Sequence, residues 1–275
     1  MPTKFEKIFA SSKPIIGVIH VPALPGTPNH VGSVAALEDR VVVEADCYLK
    51  AGIDALIVEN MHDVPYLPRE VGPEITAMMT RLARTVKSRT ALPVGIQILA
   101  GANRAALAVA QAAELEFIRA EGFVFGHLAD EGWLNADAGS LLRYRKSIGA
   151  ESIAIFTDIK KKHSAHAMSA DVSLRETAEA AAFFQSDGLI VTGPATGQPA
   201  ATNDLSDLYA RLSLPVLVGS GVNLQNVGDY LLHSDALIVG SWFKREGHWA
   251  NSLDYDRVAT FMTRVRQWRA REGQR

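Results

Sequence analysis

The chain has 275 residues, 48% of them hydrophobic and 21% charged, which is enough apolar mass for a large buried core. A formal net charge of −2, with Lys160-Lys161-Lys162 as the only compact basic run, leaves no electrostatic footprint for nucleic acid. The lone Cys47 excludes an intrachain disulfide and a cysteine cluster, and no uncharged apolar stretch is long enough to span a bilayer. Residues 1–13 read as an N-terminal extension without the apolar core of a signal peptide, so the expected location is cytoplasmic, with organelle targeting left open.

From the N-terminus, Ile15 to His20 is a short apolar run, followed by a turn-rich segment containing Pro22 and Pro25-Gly26. Helical spacing runs from Ser33 to Lys50, and Ala55 to Asn60 is a buried-strand pattern ending in polar residues. The alternation then repeats. Helix over Pro73 to Thr90 precedes strand over Pro93 to Ile98. Helix over Asn103 to Glu114 precedes strand over Phe117 to Ala120. After a loop through Trp133, a helix is expected over Asp137 to Ile148 and a fifth strand over Ser152 to Thr157. Next come helix Val172 to Phe184, strand Gly188 to Thr192 and helix Asp204 to Arg211. Strand Pro215 to Val218, helix Asn223 to Leu232, strand Ala236 to Val239 and an amphipathic helix over Asp256 to Trp268 complete the series.

Eight strand–helix pairs in this length predict the α/β class and a single (β/α)8 TIM barrel over 1–275. A doubly wound open sheet is the competing arrangement. No linker divides the chain, and no residue-level repeat is visible behind the alternation.

In such a barrel the ends of strands seven and eight are neighbours. Gly219-Ser220-Gly221 follows the seventh strand and Gly240-Ser241 the eighth, so backbone amides there can approach an anion without a blocking Cβ. A helix starting near Asn223 would add donors and a favourable dipole. Thr192-Gly193 after strand six, with Thr196-Gly197, would extend this phosphate cradle. The alternative is that these glycines only make tight turns.

The same face collects polar residues: His20, Glu59, Asn60, His62, Asp63, Gln97, Arg119, Glu121, Asp158, Lys160 and His163. Glu59 and Asp158 can divide acid and base roles or share a divalent metal; a buried salt bridge with Arg119 is the plainer alternative. His20 can orient a substrate or exchange a proton. Lys160 can transfer a proton, contact phosphate or form a Schiff base, although a three-lysine run also reads as a solvated loop. Asp63, Gln97 and Arg119 are candidate substrate contacts, and Arg119 with Glu121 a candidate ion pair. His163 and His166 would suit a metal only on a helix. Glu121 to Trp133 reads as a lid over the mouth, a packed loop or a dimer contact.

Several separated segments together resemble the BtpA family: Lys13 to His20 with Pro22 and Leu24-Pro25-Gly26; Gly52 to Asn60 with Asp63-Val64-Pro65; Phe117 to Ala120; Asp158 to His163; Asp187 to Gly193; Gly219 to Val222; and Gly240-Ser241. The resemblance runs from Lys13 to about Phe261 and implies a barrel related to phosphate-binding ribulose-phosphate and tryptophan-pathway barrels. It implies a site of His20, Glu59, Asp63, Asp158 and Lys160, with phosphate at Gly219 to Gly221 and Gly240-Ser241. The family's name comes from a role in photosystem I biogenesis or complex stability.

The expected function is an enzyme acting on a phosphorylated sugar or nucleotide-like metabolite, an isomerase or lyase by fold analogy. A noncatalytic assembly or stability factor is the alternative. The expected partners are a phosphorylated small molecule and further copies of the chain, with no nucleic acid and no membrane insertion. The cofactor is open beyond a divalent metal at Glu59 and Asp158.

Overall fold

Eight short runs of mostly Val, Ile, Leu and Ala form parallel strands buried on both faces, one toward a barrel interior and the other toward a layer of helices. The computed structural model describes residues 2–193 and 197–272. Its barrel strands are β1 (Ile15–His20), β2 (Ala55–Glu59), β3 (Val94–Gln97), β4 (Phe117–Ala120), β5 (Ala154–Ile159), β6 (Gly188–Val191), β7 (Val216–Val218) and β8 (Ala236–Val239). They pair in that order, and β8 returns to β1 with Ile15 opposite Leu237. The barrel expected from the alternation is therefore the fold, and the open sheet is not.

The helices are α1 (Lys4–Ile8), α2 (Val34–Ala51), α3 (Pro73–Ser88), α4 (Asn103–Ala112), α5 (Ala138–Ser147), α6 (Leu174–Phe183), α7 (Thr202–Arg211), α8 (Val227–Leu232) and α9 (Tyr255–Glu272). Local chemistry sets their ends. The Ser33 hydroxyl accepts from the Ala36 amide at the start of α2, and Pro73 occupies the first turn of α3. Several expected boundaries move by one to four residues, two of them for visible reasons. The fifth strand begins at Ala154 because the turn from Ala150 to Ile153 comes first. Helix α8 begins at Val227, since Asn223 and Asn226 form a side-chain-bonded turn ahead of it.

The N-terminal extension contains α1 and plugs the N-terminal end of the barrel. Thr3 and Glu6 form a capping box. The Phe9 ring lies 5.8 Å from Phe117 and 6.2 Å from Phe156, and Phe5 lies 6.1 Å from Phe156. Ala55, Ala154 and Ala236 complete that interior layer beside the phenylalanines. Gly95 makes room for Phe117: a Cβ there would sit 2.2 Å from the ring.

A repeat absent from the sequence reading appears at this end. An acidic residue directly precedes each even strand, and each accepts the first or a near-first amide of the odd strand before it. Asp54 accepts from Ile15 at 2.8 Å, Glu116 from Val94 at 2.8 Å, Asp187 from Ile155 at 2.9 Å and Asp235 from Val216 at 2.9 Å. Arg269, Lys87 and Arg145 pair with the first three.

At the opposite end, His127–Ala129 pairs antiparallel with Gly132–Leu134 and with Ser164–Ala165. The loops after β4 and β5 are thus zipped into a small sheet beside the barrel mouth.

Phe9→Ala is expected to lower the unfolding free energy by about 3 kcal/mol, by lost burial and an unfilled space under Phe117 and Phe156. Urea denaturation checks this, and a change under about 0.5 kcal/mol would mean that the plug contributes no core packing.

Candidate active site

Side chains alternate along each strand, so the interior parity that carries Val18, Ile57, Phe117 and Phe156 continues to His20, Glu59, Arg119 and Asp158 at the C-terminal ends. His20, Glu59 and Gln97 are in register across β1, β2 and β3. All five polar residues are buried.

Arg119 joins this layer. Its Nε and Nη2 each lie 3.1 Å from one oxygen of Asp158, a two-point pairing, and Nη1 lies 3.5 Å from Glu59 Oε1. Burial pulls the guanidinium's pKa down, but Asp158 and Glu59 outweigh that and raise it above the ordinary arginine value. Burial pushes the Glu59 carboxyl upward against the opposing pull of Arg119, and Asp158 moves in the same direction. His20 is driven well below its ordinary value by burial and then by Lys244, so its ring is neutral near pH 7. Its Nδ1 lies 3.0 Å from the Trp249 carbonyl, which only accepts, so Nδ1 carries the proton. That leaves Nε2 as a free acceptor, 4.0 Å from Glu59 Oε2.

Above this layer lies a cavity of two lobes that share Glu59, Met61, Arg119 and Lys162. The first lobe, about 320 Å³, runs beneath the loops after β7 and β8 and is lined by Gly219, Ser220, Gly221, Gly240, Ser241 and Arg257. The second, about 290 Å³, is bounded by Tyr66, Leu99, Gln97, Glu121 and Trp249. Gly221 has φ +68°, and a Cβ there would fall 2.2 Å from the Gln198 carbonyl oxygen, so this turn needs glycine. The Arg257 guanidinium stacks 4.0 Å above the Trp242 ring and donates to the Trp242 carbonyl at 2.6 Å.

Several expected site residues lie elsewhere. Asp63 is buried under the loop after β1, accepting from Leu24 N and Asn60 Nδ2 at 2.8 Å each, and lines neither lobe. Lys160 takes φ +50°, which ends the strand alternation, and its Nζ donates to the Val172 carbonyl away from the mouth. Lys162, two residues on, reaches both lobes instead; burial and then Arg119 hold its amine below the ordinary lysine value. Gly193 donates to Ser220 Oγ at 2.8 Å from behind the cradle. That hydroxyl in turn donates to Gln198 O at 3.2 Å, so it is already engaged. Thr196 lies outside the described residues. The dipole of a helix starting at Asn223 is absent, because the Asn223 side chain takes the Gln225 and Asn226 amides.

Glu121 does not pair with Arg119; it accepts from Gln97 Nε2 at 2.9 Å and lies 3.2 Å from Lys161 Nζ. Lys161 also pairs with Glu131, which ties the Glu121 to Trp133 segment down as a packed wall beside the mouth. His163 lines the second lobe, whereas the His166 ring bonds back to the Lys161 carbonyl at 2.9 Å. Among the described residues no group of three or more His, Cys, Asp or Glu side chains is disposed to hold a metal. Arg119 already supplies the positive charge between Glu59 and Asp158, so the pair does not fit a divalent-ion site.

Among the residues of the mouth that the sequence reading misses are Arg257, Trp249 and Lys162. Arg257 and Trp249 lie in and beyond the loop after β8, where no spacing rule points to a strand end. Lys162 was hidden by the turn at Lys160.

Residues 11–267 match the BtpA family. An uncharacterized mitochondrial protein of Caenorhabditis elegans is 51% identical, covering 94% of this chain and 96% of its own. The photosystem I biogenesis protein BtpA of Synechocystis is 31% identical, covering 92% of this chain and 88% of its own. Among solved structures, N-(5'-phosphoribosyl)anthranilate isomerase from Pyrococcus furiosus superposes with TM-score 0.58 at 13% identity, over 93% of this chain and 99% of that one. Orotidine 5'-phosphate decarboxylase from Pyrococcus horikoshii gives TM-score 0.56 at 13% identity, over 91% and 99%. At such identities the likeness shows the barrel fold. No described helix is long and apolar enough to cross a membrane.

Arg119→Met is expected to cost about 3–5 kcal/mol at pH 8, because it strands two buried carboxylates without their cation. The deficit should shrink as pH falls toward about 5. The unpaired carboxyls take up protons in the folded state at a higher pH than their unfolded values of about 4, so the folded chain binds more protons and gains stability on acidification. Urea denaturation across this range checks the slope; a deficit independent of pH would mean that the carboxylates are not what the arginine compensates.

Proposed function

The chain belongs to the BtpA family, and from that premise we propose that it is an enzyme acting on a phosphorylated sugar or nucleotide-like metabolite, with isomerase or lyase chemistry. The observation that carries this reading is a cavity whose glycine-lined wall and Arg257 face the buried His20, Glu59 and Arg119, the last held from behind by Asp158. Phosphate would occupy the first lobe. The Gly221 and Val222 amides have no hydrogen-bond acceptor among the described residues, and Ser241 and Trp242 open a short turn whose first amides lack intrahelical partners. Arg257 adds charge and paired donors suited to a phosphate oxygen. The two solved neighbours carry phosphate in the names of the molecules they act on, which agrees with this placement.

Glu59 is the proton-transfer group in this scheme. Its upward-shifted carboxyl brings protonated and ionised forms closer together near neutral pH. Neutral His20, with its proton fixed on Nδ1, offers Nε2 to take or relay that proton. Asp158 holds the Arg119 guanidinium by two points, so that its Nη1 edge is pre-aimed at a substrate oxygen gaining negative charge. Lys162 adds a second positive charge from above. The same chemistry suits either the cytoplasm or an organelle, the latter in keeping with the mitochondrial worm relative. A noncatalytic assembly or stability factor is the second reading, favoured by the name of the Synechocystis relative.

A thermal-shift and native mass-spectrometry panel of sugar phosphates and nucleotides is expected to yield a stabilising ligand. Arg257→Met should weaken that ligand by about tenfold through loss of a charge-assisted phosphate contact. Glu59→Gln should lower turnover by about 100-fold or more while changing the dissociation constant by less than about threefold. A protein that binds no phosphometabolite, yet retains a protein partner unaffected by Glu59→Gln and Asp158→Asn, would replace the enzyme with the assembly factor.

A further inference from the structure

Resting on that phosphate seat, we propose that the substrate is a glycosyl 5'-phosphate of a flat nitrogen heterocycle, of the nucleoside monophosphate class, with the ring in the second lobe and the reacting carbons between the lobes at Glu59 and Arg119. A sugar phosphate alone would leave the second lobe filled only with water, although its walls suit a ring. Tyr66 and Trp249 line it together with the apolar Val64, Leu99 and Ala100. Both aromatic residues are held before any ligand arrives. The Tyr66 hydroxyl donates to the Met61 carbonyl at 2.7 Å. The Trp249 carbonyl accepts from His20, and its ring lies 5.0 Å from that of His62. Aromatic faces fixed in advance lose little freedom when a base stacks on them.

The polar side of the lobe supplies the complementary edge. Glu121 is 2% exposed and lines the lobe. Its Oε1 accepts from Gln97, while Oε2 is met, among the described residues, by the Lys161 ammonium alone at 3.2 Å, which leaves one of its acceptor directions open. A buried carboxylate oxygen with an unused acceptor direction calls for a donor. A ring N–H or exocyclic amine provides one, whereas an apolar ligand or a carbonyl edge does not. Hydrogen-bond demand, aromatic walls and a contiguous anion seat therefore converge on one ligand chemistry.

Isothermal titration of the whole chain with inorganic phosphate, ribose 5-phosphate and the four ribonucleoside 5'-monophosphates tests this. At least one nucleotide is expected to bind about tenfold or more tighter than ribose 5-phosphate, the gain one stacked base supplies. Trp249→Ala should reduce that preference to about threefold or less and Trp249→Phe should restore it, with the ribose 5-phosphate titration in each variant reporting that the cradle is intact. Glu121→Gln should change which base is preferred, because a carboxylate only accepts and a carboxamide also donates. Equal affinity for ribose 5-phosphate and every nucleotide would overturn this inference and leave the phosphate seat standing. Failure of phosphate and all phosphorylated ligands to bind would overturn both.

Discussion

The two-point pairing of Arg119 with Asp158, extended to Glu59, is the interaction on which the barrel mouth depends. Two carboxylates facing the interior of a closed sheet cannot remain ionised there without a cation, because the desolvation cost of an unpaired buried charge is several kcal/mol. Arg119 rises from β4, which lies beside β5 and one strand away from β2, and neutralises both carboxylates. A hydrophobic isostere of the trio would pack as well or better, so stability alone does not account for it. What the trio provides is a fixed guanidinium edge and a carboxyl of altered acidity at the floor of a cavity.

The barrel divides its labour along its axis. At the N-terminal end, carboxylates before the even strands accept amides of the odd strands, and Phe5 and Phe9 close the opening. These contacts satisfy strand ends and fill volume. At the C-terminal end the interior positions of β1 to β5 turn from Val18, Ile57, Gly95, Phe117 and Phe156 to His20, Glu59, Gln97, Arg119 and Asp158 two residues further on. Stability is concentrated where the chain enters the barrel, which frees the other end to bury charges that a core alone would not favour.

Much of this was legible in the sequence because strand burial on both faces leaves a strong apolar signal. Three strands begin and end where that signal does, at Ile15–His20, Phe117–Ala120 and Ala236–Val239. The buried salt bridge of Arg119 with Glu59 and Asp158, the plainer alternative offered by the sequence, is the arrangement found, and alternation accounts for it, since each shares the interior parity of its strand. Alternation fails beyond strand ends, where backbone conformation takes over. Lys160 and Lys162 share the parity of Asp158, but a left-handed residue at Lys160 redirects the chain and exchanges their roles. Asp63 sits close to the rim in sequence, yet the free amide of Leu24 claims its carboxylate. The acidic repeat escaped notice because its members share only a carboxylate and a position before a strand.

One loop links the separate parts of the mouth. Between β8 and α9 the chain contributes Gly240 and Ser241 to the first lobe and Trp249 to the second, while Arg257 follows just inside α9. The Trp249 carbonyl also fixes the His20 tautomer. This loop is anchored by Lys244, which is buried and pairs with Glu44 of α2 at 2.7 Å, and by a bridge from Lys244 to Leu253. Lys244 in turn helps to keep His20 neutral. The charge that ties the loop to the helix layer thus also tunes the imidazole at the floor. Gly240, Ser241, Trp249 and the His20 tautomer are thus set by one segment whose own fixation lies outside the cavity, so this part of a mouth built from loops holds a defined geometry.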